Sequence, residues 1–349
     1  MIEKNRELLK LFIFTFILLF SFQVLPCFSQ GLQEEITDKY PAATPPIEKE
    51  VAEYYAPAEE PLGVSVTADV QQGYDNNVDL DPSRKKDGFI QSVCYAEVTI
   101  RPQVETLELR AGADLFGMVY YKYNSSNIFD IAPYAGIEWE FMPGFKWYNY
   151  ITFDYLSFPN DKDSTYAGLE FNTYVRQFLT EDLFHQFGYE YIRRWYPDRK
   201  MSLGDASESV DNREDDRHKF KYTAGMYFSN FMVKIGNELY HNNSNDQYQD
   251  YYDYWVYRLK PSVMYFFTDN IYANASLIFK YIPYDARLST EDPDKEVRDY
   301  TYIGNLSLYY DITESITFGV TYSYTENTSN DPYQKYSGSI FSGGVYYTF

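Results

Sequence analysis

Three histidines, His185, His218 and His241, are the first candidates for chemistry in this 349-residue sequence. An imidazole can act as general base to a hydroxyl nucleophile when a Ser, Asn or Asp completes the site. Here no Ser or Asp motif singles out a partner; His185 lies by a periplasmic turn, His218 at a strand start and His241 near an extracellular rim. The expectation is a protein that is not an enzyme, with its histidines in an aromatic rim. Two acidic runs could bind cations. Asp75-Asn76-Asn77-Val78-Asp79-Leu80-Asp81 has the opening of an oxygen-ligand calcium loop, but Leu80 stands where the turn Gly belongs and Lys86 where the bidentate Glu belongs. A solvated loop is therefore expected. The stretch 205–216, with Asp205, Glu208, Asp211, Glu214, Asp215 and Asp216, either bridges lipopolysaccharide through a divalent cation or is a self-repelling surface. No Gly-rich phosphate loop, Cys/His zinc pattern or dinucleotide fingerprint is present, so neither a cofactor nor a resident metal is expected.

The net charge of −21 argues against nucleic acid, whose phosphates need a basic surface. The beginning of the sequence reads as an export signal. Lys4, Arg6 and Lys10 precede an apolar run from Leu11 to Phe22, and small residues follow at Cys27 and Ser29. Residues 1–29 are expected to be cleaved; an uncleaved anchor and a lipoprotein processed at Cys27 are the alternatives. Removal of Cys27 leaves Cys94 alone, so no internal disulfide is available. Residues 30–61, rich in Glu, Pro and Ala, carry no periodicity and read as an acidic, flexible periplasmic linker or a partner-binding tail.

From residue 62 onward one theme repeats: an alternating segment, a short turn, an alternating segment, a longer polar loop. The spans 62–73, 88–101, 105–121, 128–141, 145–158, 166–178, 183–196, 217–228, 231–242, 251–266, 271–284, 297–311, 315–326 and 335–349 make fourteen strands, each long enough to cross a bilayer at a tilt, for which about 9 to 11 residues suffice. Short and long connections alternate strictly. That is the layout of a transmembrane antiparallel up-and-down β-barrel, all-β in class, with short periplasmic turns and long extracellular loops. The 39 Tyr and 26 Phe suit interfacial girdles, and Trp139, Trp147, Trp195 and Trp255 mark two belts. Phe178-Leu179-Thr180-Glu181-Asp182, Phe267-Thr268-Asp269-Asn270 and Ile312-Thr313-Glu314-Ser315 are variants of one short turn in which Thr can bind turn amides.

Period two assigns faces. In 315–326, Ile316, Phe318, Val320, Tyr322 and Tyr324 face lipid and Ser315, Thr317, Gly319, Thr321 and Ser323 face inward. A cationic side chain on the lipid face at mid-membrane costs about 2–4 kcal/mol, so charges within strands are assigned to the interior. The first seven strands contribute an acidic wall, Asp69, Glu97, Glu108, Asp114, Glu138, Glu140, Asp154, Glu170 and Glu190, interspersed with Arg101, Arg110, Lys146, Arg176 and Arg194. Strands eight to eleven contribute a basic wall, Lys219, Lys221, Lys234, Arg258, Lys260 and Lys280, against Glu238. Opposed charges either create a transverse field that filters solutes or form salt bridges that fill the interior. A loop folded into the lumen, with 197–216 as the candidate, implies a gated pore, and a wide, Tyr-lined lumen implies sugar passage.

The final strand places Phe341, Val345, Tyr347 and Phe349 on one face. It resembles the C-terminal strand by which outer-membrane barrels close and are recognised by the barrel-assembly machinery. Gly73-Tyr74-Asp75-Asn76-Asn77-Val78, after the first strand, resembles the opening of outer-membrane β-barrel porin families of envelope-bearing bacteria. A similar element occurs in the barrels of surface-lipoprotein assembly modifiers, which carry helical repeats ahead of the barrel where this chain has a short linker. The resemblance implies an integral protein of the bacterial outer membrane, in contact with lipid and lipopolysaccharide. The expected function is a porin-like channel for diffusion of small hydrophilic solutes. A conduit exporting polysaccharide or lipoprotein with periplasmic partners, and a non-conducting structural or adhesin barrel, are the alternatives. Solute and oligomeric state stay open.

Overall fold

The computed structural model describes residues 61–102, 106–204, 207–248 and 251–349. The expected export signal, and the expected linker up to residue 60, lie outside the described residues. Fourteen antiparallel strands follow in order: β1 (Leu62–Asp75), β2 (Asp87–Ile100), β3 (Leu107–Tyr120), β4 (Ile128–Met142), β5 (Phe145–Ser157), β6 (Tyr166–Phe178), β7 (Leu183–Ser202), β8 (Glu208–Tyr227), β9 (Phe231–Ser244), β10 (Tyr254–Thr268), β11 (Ile271–Leu288), β12 (Glu296–Thr313), β13 (Ile316–Ser329) and β14 (Tyr336–Thr348). Each pairs with its sequence neighbours, and β14 returns to β1 to close the barrel. Closure leaves no strand edge with unpaired N–H and C=O groups, which is the condition for a sheet to sit in hydrocarbon.

Alternation explains why these segments stand as membrane strands. In β13, Thr317, Thr321, Ser323 and Thr325 are buried while Phe318, Tyr322 and Tyr324 are exposed. The exposed set forms the lipid-facing wall and the buried set the interior. The closing strand follows the same rule, with Phe341, Val345, Tyr347 and Phe349 all exposed on the outer wall. The Phe349 amide donates to the Val66 carbonyl at 2.8 Å and Val66 returns the bond at 2.9 Å, so the last residue is hydrogen-bonded into the seam. Two aromatic belts flank the apolar zone. Trp139 and Trp147 face each other across β4 and β5 beside a short turn, ring centroids 6.4 Å apart. Trp255 lies beside His241 near the opposite rim.

The short turns are built by local chemistry. Pro143-Gly144 joins β4 to β5, with Gly144 at φ +78°, a conformation that Gly adopts without a Cβ penalty. Thr180 Oγ1 accepts from the amides of Asp182 and Leu183, Thr268 Oγ1 from Ile271, and Thr313 Oγ1 from Ser315. The repeated Thr turn is thus an amide-capping device used three times.

The long-loop end departs from the sequence reading. The stretch 197–216, expected as a loop, is mostly strand: β7 and β8 run 20 residues each and pair as far as Ser202 and Glu208, with register shifts beyond Trp195. The connection after β9 braces this hairpin, since Asn245 N donates to Glu214 O at 3.0 Å and Gln247 N to Ser202 O at 2.8 Å. Beyond the hydrocarbon a strand needs no apolar face. The alternating Arg213, Glu214, Asp215, Asp216 and Arg217 therefore carry strand geometry without the hydrophobic signature that marks it elsewhere.

Inside, small residues make room for rings. Gly112 pairs with Tyr134 and Gly136 with Tyr150, each ring lying over its glycine on the inner face. A Cβ on Gly112 would come 2.7 Å from Tyr134 Oη, and one on Gly136 would overlap the Tyr150 ring. Gly136→Ala is therefore expected to lower barrel stability by about 1–3 kcal/mol, the usual cost of overpacking. Urea titration of the micelle-folded barrel checks this; an unchanged midpoint would mean that the Tyr150 ring has room to move.

Candidate functional site

The strands place all fifteen expected wall residues on the inner face, by the parity of each burial pattern. Their charges are paired mainly between adjacent strands. Arg110, on β3, is a hub: its guanidinium reaches Glu97 of β2 at 3.3 Å, Glu108 at 2.9 Å and Glu138 of β4 at 3.0 Å. Arg101 adds a 3.0 Å bridge to Glu108. Tyr95 and Tyr134 both donate to Glu97 at 2.6 Å, and Tyr150 donates to Glu138. On the other side of the barrel, Glu190 of β7 receives Lys219 at 2.7 Å and also Lys221, both on β8. Arg258 of β10 meets Glu238 of β9 at 3.0 Å.

Other wall residues have local roles. Asp69 accepts from the Val93 amide at 3.1 Å and from Gln71 at 3.2 Å. Asp154 accepts from Tyr166. Glu140 accepts from the Gly144 amide at 3.0 Å and so supports a turn. Lys280 is almost fully enclosed, while Glu170 and Lys234 are half-buried on the inner face. Asp114 and Lys260 differ, since both point inward and are nonetheless exposed. In a ring of fourteen strands β3 stands opposite β10, and both residues sit near the middle of their strands. An acidic and a basic group thus face water from opposite walls of the interior.

The mouth at the long-loop end is narrowed from one side. The β1–β2 connection, residues 76–86, turns into the barrel and buries Val78 against Phe89, Phe116, Met118, Tyr120, Phe158 and their neighbours. The Asp-Asn run that suggests a calcium loop holds this connection in place. Asp75 accepts from the Asn77 amide at 2.8 Å and from Tyr120 Oη at 2.9 Å. Asn77 Nδ2 donates to the carbonyls of Asp81 at 2.9 Å and Ser337 at 3.0 Å, and Asn76 Oδ1 accepts from the Ser339 amide at 2.7 Å. Lys85 closes the loop on Asp79, whose hydrogen-bonded carboxylate raises the lysine pKa above its ordinary value. The inward-folded loop is therefore this one and not 197–216. Asn77→Ala removes three side-chain hydrogen bonds of about 1 kcal/mol each, the third from the Asp81 amide to Oδ1. It is expected to loosen the loop and give larger, noisier single-channel currents than the native barrel.

Beside that loop a cavity of about 210 Å³ opens in the mouth. Its walls carry six cationic side chains, Arg194, Arg199, Arg213, Arg217, Lys280 and Arg287, against three carboxylates, Asp79, Asp215 and Asp299. The guanidinium groups lie on tyrosine faces. Arg213 sits 3.4 Å from the Tyr252 ring centre and 4.4 Å from that of Tyr196; Arg287 sits 3.9 Å from Tyr251 and 4.9 Å from Tyr284. Burial raises the pKa of Tyr251, against the opposing pull of the Arg287 charge. Among these groups only Arg194 and Lys280 belong to the expected inner face. Period two held the signal for three more, because Arg213, Asp215 and Arg217 continue the inward parity of Lys219 and Lys221.

The histidines lie on the outer wall: His218 and His241 stand directly opposite each other on β8 and β9, and His185 lies apart from them beside the short turn that opens β7. His185 bonds Gln177 at 2.7 Å, His218 bonds Tyr189 at 2.7 Å and His241 bonds Asp285 at 3.1 Å. Among the described residues, no group of three or more His, Cys, Asp or Glu side chains is arranged to hold a metal.

No family model and no curated protein matches the sequence. Solved structures do share its shape. A loop L8 deletion mutant of OmpT, an outer membrane protein of Vibrio cholerae, superposes with a TM-score of 0.50 at 9% identity, over 83% of this chain and 100% of that one. An anion-selective porin from Comamonas acidovorans gives 0.47 at 10% identity, over 82% and 99%. A Pseudomonas aeruginosa FadL homologue gives 0.45 at 10% identity, over 85% and 93%. At this identity the likeness to the OmpT barrel establishes the fold, that of an outer-membrane β-barrel.

Proposed function

We propose that the chain is an integral, non-enzymatic protein of the bacterial outer membrane that passes small hydrophilic solutes through its lumen. The observation that carries this reading is the inward, water-exposed pair Asp114 and Lys260 on opposite walls of a closed barrel. A barrel of this strand number has room for an aqueous passage wherever side chains and loops leave it open. The apolar outer wall would meet lipid, and the charged long-loop rim would meet lipopolysaccharide. Residues 1–29 would direct export and be removed, and the Phe349-ended strand would be presented to the assembly machinery.

The test is single-channel recording of the mature chain refolded into a planar bilayer. Discrete ohmic steps support the channel. A fully folded barrel that carries no current overturns it in favour of an export conduit or a structural barrel. Deleting residues 30–60 then separates these two, since only a conduit docking periplasmic partners should depend on them.

A further inference from the structure

We infer that the arginine–tyrosine cavity in the mouth is a binding site for small carboxylated sugars, an inference that rests on the channel reading and names the solute class. The chain carries a net charge of −21, yet the cations of this cavity outnumber its carboxylates two to one. An anion therefore finds its favourable environment here and not on the surrounding surface. Arginine is suited to it because a planar fork of N–H donors matches a carboxylate, and stacking on tyrosine fixes the fork while leaving its in-plane donors directed outward. Arg287 is placed for this, its guanidinium carbon lying between the Tyr251 and Tyr284 rings at 3.9 and 4.9 Å from their centres.

The rest of the lining selects among anions. Asp215 is already taken up by Arg213, Ser244 and Tyr196; Asp299 would repel a polyphosphate or other polyanion, but it can accept hydrogen bonds from hydroxyl groups. Thr301 and Asn327, joined by a 2.7 Å hydrogen bond on β12 and β13, add neutral polar groups beside Asp299. One carboxylate together with several hydroxyls satisfies both sets, which is the chemistry of a uronic acid. The volume agrees. At about 210 Å³ the cavity is below the roughly 300–1,000 Å³ typical of sites for drug-sized ligands, and suits one sugar ring.

The experiment adds sodium glucuronate to the long-loop side of single channels, with glucose and sodium acetate as controls. Glucuronate is expected to block the current saturably at concentrations where glucose and acetate do not. Arg287→Gln should raise the half-blocking concentration about tenfold, and Arg287→Lys, which keeps the charge and loses the fork, by less. Equal block by glucose or acetate, or an Arg287→Gln barrel that blocks like the native one, overturns the assignment. Folding of each variant is read from its gel shift on heating. If the folded barrel carries no current the channel reading fails by itself, and calorimetric titration of glucuronate into the micelle-folded barrel decides the site. Saturable heat lost in Arg287→Gln supports it, and no heat overturns it.

Discussion

Replacing Arg110 by alanine is expected to destabilise the folded barrel by about 3–5 kcal/mol, the cost of leaving buried charges without their partner. Glu97 and Glu138 are 6% exposed and Arg110 is 9% exposed, so water cannot take over the role of the guanidinium. Without it three carboxylates crowd one patch of wall, and the tyrosines that donate to Glu97 and Glu138 cannot neutralise them. Urea unfolding in detergent micelles, followed by tryptophan fluorescence, measures the loss. A combined Arg110→Met, Glu97→Gln, Glu138→Gln barrel should recover much of it, because replacing a whole buried ion cluster is far less costly than breaking it. A single variant as stable as the native barrel would mean that this part of the interior is well hydrated.

The second large effect concerns selectivity. Arg258→Gln with Lys260→Gln should move the reversal potential in a salt gradient toward that of cations. Arg258 now offsets Glu238, and Lys260 faces water across from Asp114. Neutralising both leaves two carboxylates acting on the passage. A unit charge about 4 Å from an ion in water contributes about 1 kcal/mol, so a change of about fivefold in the cation-to-anion permeability ratio is expected. An unchanged reversal potential would mean that ions do not pass this level of the barrel, and that the charges here serve only to knit the wall.

Strand number, strand faces and closure were legible in the sequence because hydrocarbon enforces a strict period of two wherever a strand crosses it. Phe318, Tyr322 and Tyr324 can alternate only with polar residues if the interior is to be polar. The signal fades where that constraint ends. Arg213 to Arg217 are strand residues above the membrane, and their charges on both faces read as a loop. Val78 and Leu80 sit in an Asp-Asn run whose polarity suggests solvent, yet both side chains are buried in the mouth. Two walls of opposite charge could be counted from the sequence, but pairing needs register. Only register puts Lys219 directly across from Glu190 on the neighbouring strand, with Lys221 two residues on.

The asparagine clamp also imposes an order of events during assembly. Asn76 and Asn77 lie just past the end of the first strand, and their partners Ser337 and Ser339 lie in the last. The two contacts span 260 and 263 residues of sequence, and only the seam between β1 and β14 brings them together. The loop that narrows the mouth therefore has nowhere to dock until the last strand has zipped onto the first. A barrel caught with its seam apart would also have an unobstructed mouth, so proteolytic sensitivity within residues 79–86 should disappear at the moment of closure and serve as a clock for it.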